Sequence, residues 1–466
     1  MKIYRIRSLA ALLTLALSLA ISFPVFAAGE AGIQALRDEL RLIKETYEQR
    51  IEALERRLAQ AETLAGKAEE LATQAQAAGR AQSVAQPAPS TPTSVSAFNP
   101  AISLILSGMY ASQKVDPASH PYRIDGFAPS LGEVAPPPRG FSLGESELVL
   151  EANIDRLFRG RMTVALPPEE GAAPQVEEGF VQTLGLADGF NLKAGRFLSG
   201  IGYQNEQHAH VWDFSDAPLA YKAFFGGQLR NDGVQLKWLA PTDTFIEFGA
   251  EAARGGNFPA TDRNRNGSVL VALTAHAGGD IGVSQSWRAG LSWVGADPRE
   301  RQDDPTTPSF AYSGRSRTLV GDFVWKWAPS GNSKVTSFKL QGEYFRRQED
   351  GEIVPVATSI AEPFASRQSG WYLQGVYQFA PSWRVGYRYD RLDYGSIASA
   401  TVANGRLSVL APYNPRRNTL MTDWSPSEFA RLRLQYARDE SRLGVTDKQI
   451  WLHYIMSLGA HGTHKF

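Results

Sequence analysis

The chain has 466 residues, with 48 Lys plus Arg balanced by 48 Asp plus Glu, and no cysteine. That balance gives no support to a nucleic-acid partner, and the absence of thiols excludes disulfides and thiolate metal sites. Beyond the N-terminal segment no run of about 18 apolar residues is present, so no helix can cross a bilayer, while aromatics supply 11% of the chain.

At the N-terminus, Lys2, Arg5 and Arg7 precede the apolar stretch Leu9–Ile21, and Val25-Phe26-Ala27 follows the helix breaker Pro24. This predicts a secretory signal peptide over residues 1–27, with a retained membrane anchor as the alternative. Residues 28–79 read as a helix whose apolar positions Ile33, Leu36, Leu40, Ile43 and Tyr47 step by three and four. The seam slips by one four-residue step to Ile51 and runs on through Leu54, Leu58, Ala61 and Ala65. A stripe this narrow predicts a self-associating periplasmic coiled coil with a stutter. A solvated single helix, or a tail that orders on binding another protein, is the alternative. Residues 80–97, with Pro87, Pro89 and Pro92 among Ser and Thr, read as a flexible linker.

From Asn99 the period changes to two. The alternating segments are Ser103–Ala111, Glu147–Asp155, Arg161–Leu166, Val176–Leu184, Asn191–Leu198, Asp232–Leu239, Phe245–Ala253 and Ser268–Ala277. They continue as Ile281–Val294, Arg317–Trp327, Val335–Arg347, Gly370–Phe379, Trp383–Arg391, Asn418–Trp424, Phe429–Arg438 and Lys448–Leu458. Short connections such as Leu157–Gly160, Gly185–Gly189, Pro241–Thr244 and Gly278–Asp280 alternate with long ones. The long ones include Gln113–Gly140, Ser199–Asn231, Gly295–Ser316, Gln348–Ser369 and Asp393–Arg417. The pattern predicts an all-β membrane protein: a 16-stranded antiparallel transmembrane β-barrel over residues 98–466, preceded by the N-terminal coiled-coil helix. Four reversals repeat one device, an aromatic residue ending a strand just before proline: Trp238 with Pro241, Trp327 with Pro329, Phe379 with Pro381, and Trp424 with Pro426. Proline cannot donate to a ladder and belongs at the turn, so these aromatics are expected at one height, as a girdle at a membrane–water interface.

The strand faces separate by polarity. Trp383, Val385, Tyr387 and Tyr389 oppose Arg384, Arg388 and Asp390, and Leu432, Leu434 and Tyr436 oppose Arg431 and Arg433. Arginine in lipid costs about 2–4 kcal/mol at mid-depth, so the charged face must look into the lumen. Arg288, Lys339, Glu247, Glu251, Glu147, Glu343 and Asp322 join it there. Sixteen strands enclose more space than side chains fill, which predicts a water-filled channel for small hydrophilic solutes. The arginines either form a positive, anion-favouring wall or pair with luminal carboxylates. The loop after Leu198 carries Tyr203, Glu206, His208, His210 and Asp213 in an aromatic, Gly-containing run that can fold inward as a constriction. His208 and His210, with Glu206 and Asp213, are weak candidates for a divalent metal, since two histidines one residue apart point the same way only on extended backbone. No nucleophile–base pair, phosphate loop or HExxH motif occurs, so neither enzymatic activity nor a cofactor is expected.

The barrel region resembles the phosphate-selective (polyphosphate) porin family of outer-membrane porins. The resemblance rests on Glu177-Glu178-Gly179-Phe180-Val181-Gln182, on Leu192-Lys193-Ala194-Gly195-Arg196-Phe197 followed by Gly200-Ile201-Gly202, and on Asp232-Gly233-Val234-Gln235-Leu236. It continues in Gly370-Trp371-Tyr372, Gln374-Gly375-Val376-Tyr377 and Arg384-Val385-Gly386-Tyr387-Arg388-Tyr389-Asp390. It implies a homotrimer of sixteen-strand pores embedded in outer-membrane lipid, with an inward third loop and, in phosphate-selective members, a basic lumen. Here Gly295–Ser316 holds Arg299, Arg301 and Arg315 but no lysine, with Asp303 and Asp304 between them. Relatives with the Gly459–Phe466 tail are sometimes labelled TonB-dependent receptors, but about 370 residues leave no room for a plug domain and twenty-two strands. The terminal Phe466 resembles the signal read by the barrel-assembly machinery. The expected function is therefore an outer-membrane porin, general or anion-selective. A zinc-linked uptake channel and an envelope tether anchored by the barrel are the alternatives.

Overall fold

The computed structural model describes residues 100–459 apart from 118, 129–133, 168–172, 262–265 and 305–306. The signal peptide, coiled coil and linker expected over residues 1–97, and the tail bearing His461, His464 and Phe466, lie outside the described residues.

Sixteen strands build the wall. They are β1 (Ala101–Gln113), β2 (Ser146–Asn153), β3 (Phe158–Leu166), β4 (Gln175–Thr183), β5 (Phe190–Leu198), β6 (Arg230–Leu239), β7 (Phe245–Ala253) and β8 (Leu270–Ile281). Then follow β9 (Gln285–Ala296), β10 (Phe310–Trp327), β11 (Ser337–Pro355), β12 (Glu362–Ala380), β13 (Trp383–Ala398), β14 (Arg416–Ser427), β15 (Ala430–Glu440) and β16 (Asp447–Gly459). Each pairs antiparallel with the next, and β1 pairs with β16 from Ser103↔Gly459 to Gln113↔Gln449, closing the barrel. Closure leaves the sheet without a free edge. Two short strands, Gly140–Leu143 and Arg301–Gln302, sit within long connections.

All sixteen predicted segments occur, but several boundaries move for physical reasons. The segments predicted as Arg317–Trp327, Val335–Arg347 and Gly370–Phe379 are extended into β10, β11 and β12, so most of the supposed long loop Gln348–Ser369 is ladder, paired as far as Ile353↔Glu362. The extension, Gln348-Glu349-Asp350-Gly351-Glu352, is polar on both faces. Pairing continues there without a lipid-facing side to impose alternation. The reversal predicted at Gly278–Asp280 occurs instead after Ile281, because Gly278 and Gly279 pair with Arg288 and Trp287 inside the ladder. Pro426 is not in its turn either. It lies in β14 at a register shift between Trp424 and Ser427, where a bulge removes the need for its missing N–H.

The polarity is inside out. Leu291 is 57% exposed on the outer face, with Leu273, Leu319, Leu373, Leu420, Leu434 and Leu452 exposed around the same belt, whereas Arg388 and Arg433 are 0% exposed inside. A barrel in water would bury the leucines and expose the arginines. At the short-turn rim the aromatics form ladders: Trp238 stacks between Phe190 and Phe248 with centroids 6.2 and 5.9 Å apart, and Trp383 stacks on Trp424 at 6.3 Å.

Candidate functional site

The connection between β5 and β6 folds into the lumen. Its two ends are stapled by Asn205, whose amide donates to the carbonyls of Ser199 (2.8 Å) and Leu229 (2.9 Å) and accepts from the Leu229 N–H (2.7 Å). Glu251 on β7 fixes the start, accepting from the Ser199 hydroxyl at 2.6 Å and the Gly200 N–H at 2.7 Å. Gly202 adopts φ +60°, and a Cβ there would stand 2.2 Å from a Glu343 carboxylate oxygen. Only glycine lets the backbone approach the wall so closely. Glu343 in turn accepts from the hydroxyls of Tyr221 and Tyr372, both at 2.7 Å, and from the Gln204 N–H at 2.9 Å. We predict that Gly202→Ala separates Tyr221 from Glu343 and lowers thermal stability, by about 1–3 kcal/mol for the buried acceptor left short of a donor.

Further along, the loop forms the two-turn helix α1 (Leu219–Phe225), closed by Gly226 at φ +72°. The Leu219 N–H donates to Asp390 on β13 at 2.9 Å, anchoring the helix start. All seven residues of α1 are buried. Tyr221 and Phe224 pack on Phe345 of β11, with ring centroids at 5.0 and 5.9 Å, and Phe224 meets Phe127 of the first long connection edge-on at 5.8 Å. The lumen toward the long connections therefore holds an apolar core. Two loops pack on each other there, the first long connection and the one between β5 and β6.

The luminal arginines are paired. Arg388 donates to Asp216 (3.0 Å) and Asp390 (2.9 Å), Arg433 to Asp423 (2.8 Å) and the Trp212 carbonyl (2.7 Å), and Arg384 to Asp213 (3.1 Å) and also to Asp423. Arg431 reaches the carbonyls of His210 (3.4 Å) and Trp212 (3.3 Å). Lys339 pairs with Asp213, and Arg288 lies 4.0 Å from Glu206 and over the Tyr203 ring. Lys237 bridges Glu206 (2.5 Å) and Glu247 (3.2 Å). Burial alone would raise the pKa of Asp216, but Arg417, Lys222 and Arg388 override it and hold the carboxyl well below the usual range. Asp213 is held down in the same way by Lys339 and Arg384.

The histidines take other partners than those expected. Glu206 and Asp213 serve the lysine and arginine pairs above, while His208 and His210 turn to the opposite wall. His208 Nε2 lies 2.9 Å from Glu178, its Nδ1 lies 3.3 Å from both Glu147 and Glu177, and His210 Nδ1 is 2.9 Å from Glu147. Burial favours a neutral imidazole, yet Glu147, with Glu177 and Glu178, raises the His208 pKa well above the ordinary value. Glu177 and Glu178 are consecutive and both buried, which a regular strand does not allow. A register shift between Thr163 and Val164 leaves Glu177 as the extra residue of a bulge and turns both carboxylates inward. The sequence showed them only as part of a motif. Asp216 and Lys222, central to the loop's charge network, carried no signal in the local pattern.

Between the loop and the short-turn rim remains a cavity of about 480 Å³. Its wall carries Arg159, Arg161, Lys193, Lys339, Arg384 and Arg431 against Glu151, Glu178, Glu206 and Asp213, with His208 and His210 at one side.

No protein-family model matches the chain. An uncharacterised protein of Aquifex aeolicus (strain VF5) is 30% identical over 349 residues, spanning 70% of each chain. Among solved structures, the trimer form of OmpT of Vibrio cholerae aligns at 9% identity and TM-score 0.48, covering 77% of this chain and 99% of that one. The outer-membrane channel DcaP of Acinetobacter baumannii aligns at 12% and 0.48, covering 77% and 97%. An anion-selective porin of Comamonas acidovorans aligns at 10% and 0.46, covering 77% and 99%.

Proposed function

We propose that this chain, which belongs to one family with the Aquifex aeolicus protein, is an outer-membrane porin that passes small hydrophilic solutes by passive diffusion. The observation that carries the reading is a closed barrel with an apolar outer belt, a charged lumen and a loop folded into that lumen. Lipid outside and water inside is the one pair of solvents that stabilises both faces. In this reading the short turns face the periplasm, the extended hairpins face outward, and three copies associate as the resemblance implies. Leu291→Arg tests the lipid assignment. It places a guanidinium in the outer belt at a cost of about 2–4 kcal/mol and should reduce the yield of heat-resistant folded barrel.

The finer reading is a weak preference for anions. Most luminal arginines are neutralised by carboxylates, which argues against a strong selectivity filter. The vestibule still carries six basic side chains against four acidic ones, and a small positive excess favours anions modestly. Planar-bilayer recordings in a salt gradient should give a reversal potential on the anion side. Arg159→Gln with Arg431→Gln removes the excess and should bring that potential close to zero. Purified, folded protein that conducts nothing would sink the porin reading.

A further inference from the structure

We propose that Glu147, Glu177, His208 and His210 form a binding site for one divalent cation of the zinc class, which pins the luminal loop to the barrel wall. The ligands come from three separate pieces of chain: Glu147 from β2, Glu177 from the bulge in β4, and the two histidines from the loop.

The geometry points to a ligand. His208 Nδ1, Glu147 Oε2 and Glu177 Oε2 have no hydrogen-bond partner, although their residues are 8%, 1% and 3% exposed. Buried polar atoms are seldom left in this state. These three converge, with His208 Nδ1 3.3 Å from each carboxylate oxygen. One ligand atom each from Glu147, His208 and His210 lies within 4.8 Å of the others. A tetrahedral zinc with bonds of 2.0–2.1 Å sets its ligand atoms about 3.3 Å apart, so these three residues close in modestly around a cation, and Glu177, 3.3 Å from His208 Nδ1, swings in as the fourth ligand.

The surroundings match as well. A metal-bound histidine usually donates its other ring N–H to a carboxylate, which fixes the tautomer. His208 Nε2 meets Glu178 at 2.9 Å, and Arg161 lies 3.8 Å behind that carboxylate. Two imidazoles with two carboxylates and no sulfur suit zinc better than calcium or magnesium, which take all-oxygen sites. Arg230 lies 3.6 Å from Glu177 and Arg161 3.8 Å from Glu178, whereas the ion pairs of Glu147 are with the two histidines, so a dication compensates its charge. His208 and His210 border the vestibule, so the ion has an entry path.

The test uses untagged full-length protein folded in detergent, stripped with chelator and re-equilibrated with zinc chloride. Elemental analysis should return one zinc per chain, and titration calorimetry should show saturable binding at micromolar zinc or below. X-ray absorption at the zinc edge should show only N and O ligands near 2.0–2.1 Å. His208→Ala with His210→Ala should weaken binding at least 100-fold. Glu178→Gln, which leaves all four ligands in place and the barrel intact, should weaken it by about 10–100-fold. Parent protein without stoichiometric zinc, or a double variant that binds like the parent, overturns the proposal, as does a Glu178→Gln variant of undiminished affinity. None of these measurements needs conduction, so the site and the porin reading stand or fall separately.

Discussion

Asp216→Ala should release the luminal loop. The Asp216 carboxylate is the hub of a buried cluster: it lies 3.2 Å from Lys222 and 3.0 Å from Arg388, pairs with Arg417, and accepts from Gln435 at 3.2 Å. Lys222, Arg388 and Arg417 are each about 1% exposed. Alanine leaves three buried cations with one carboxylate fewer among them. Stranding buried charge in this way costs about 3–5 kcal/mol, or roughly 100- to 4,000-fold in the population of the opened loop. Limited proteolysis between β5 and β6 should accelerate by that order, and single-channel current should become larger and noisier. A loop as resistant as in the parent would show that Asp390 and Asp439 suffice. Acid should act in the same direction. The native carboxyl is held below its ordinary pKa of about 3.9, so its contribution is complete above that value and declines as pH falls below it. Loop cleavage by an acid protease at pH 3 should therefore exceed what the same enzyme achieves at pH 5.

Phe224→Ala should have an effect of similar size through packing instead of charge. The ring is fully buried, lies against Phe127 and Phe345, and has the Arg347 guanidinium 5.0 Å above it. Truncating a buried phenylalanine costs about 3–5 kcal/mol, part of it from the cavity left behind. Here the cavity opens between two loops and a rigid wall that cannot collapse to fill it. Thermal unfolding should show an early transition for the loops with the barrel transition unchanged. Phe224→Leu keeps most of the volume and should lose less than half as much. A single unchanged transition in the alanine variant would mean that the loop is held by its ion pairs alone.

How much of this was legible in the sequence follows from where solvent imposed a pattern. Leu432, Leu434 and Tyr436 against Arg431 and Arg433 could be sorted because one face meets lipid and the other does not. The same reasoning was silent for Gln348–Glu352, where both faces are polar and no lipid imposes alternation, and the strand was therefore read as loop. A bulge inverts the rule at Glu177, so strict alternation gives no hint that the two adjacent carboxylates beside His208 both face inward. The inward loop was legible from its glycines and aromatics. Its partners were not: Phe127 and Phe224, or His208 and Glu147, are far apart in the chain, and no local period encodes their meeting. Sequence proximity suggested Glu206 and Asp213 for the histidines, but those acids lie beside Lys237, Lys339 and Arg384, whose fixed charges claim them first.

The unequal strands of the wall have a consequence for how anything approaches the molecule. β11 and β12 have 19 residues each, whereas β2 to β7 have between 8 and 10. At about 3.3 Å per residue and a tilt near 40°, one side of the wall is roughly 23–28 Å taller than the other. The mouth is accordingly slanted, like a scoop with its back formed by β10 to β13. With the extended hairpins outward, as proposed above, a solute arriving from outside meets a screen on that side and a lower lip over β2 to β7. Large particles such as antibodies or phage tail fibres would reach the tall hairpins well before they reached the lumen.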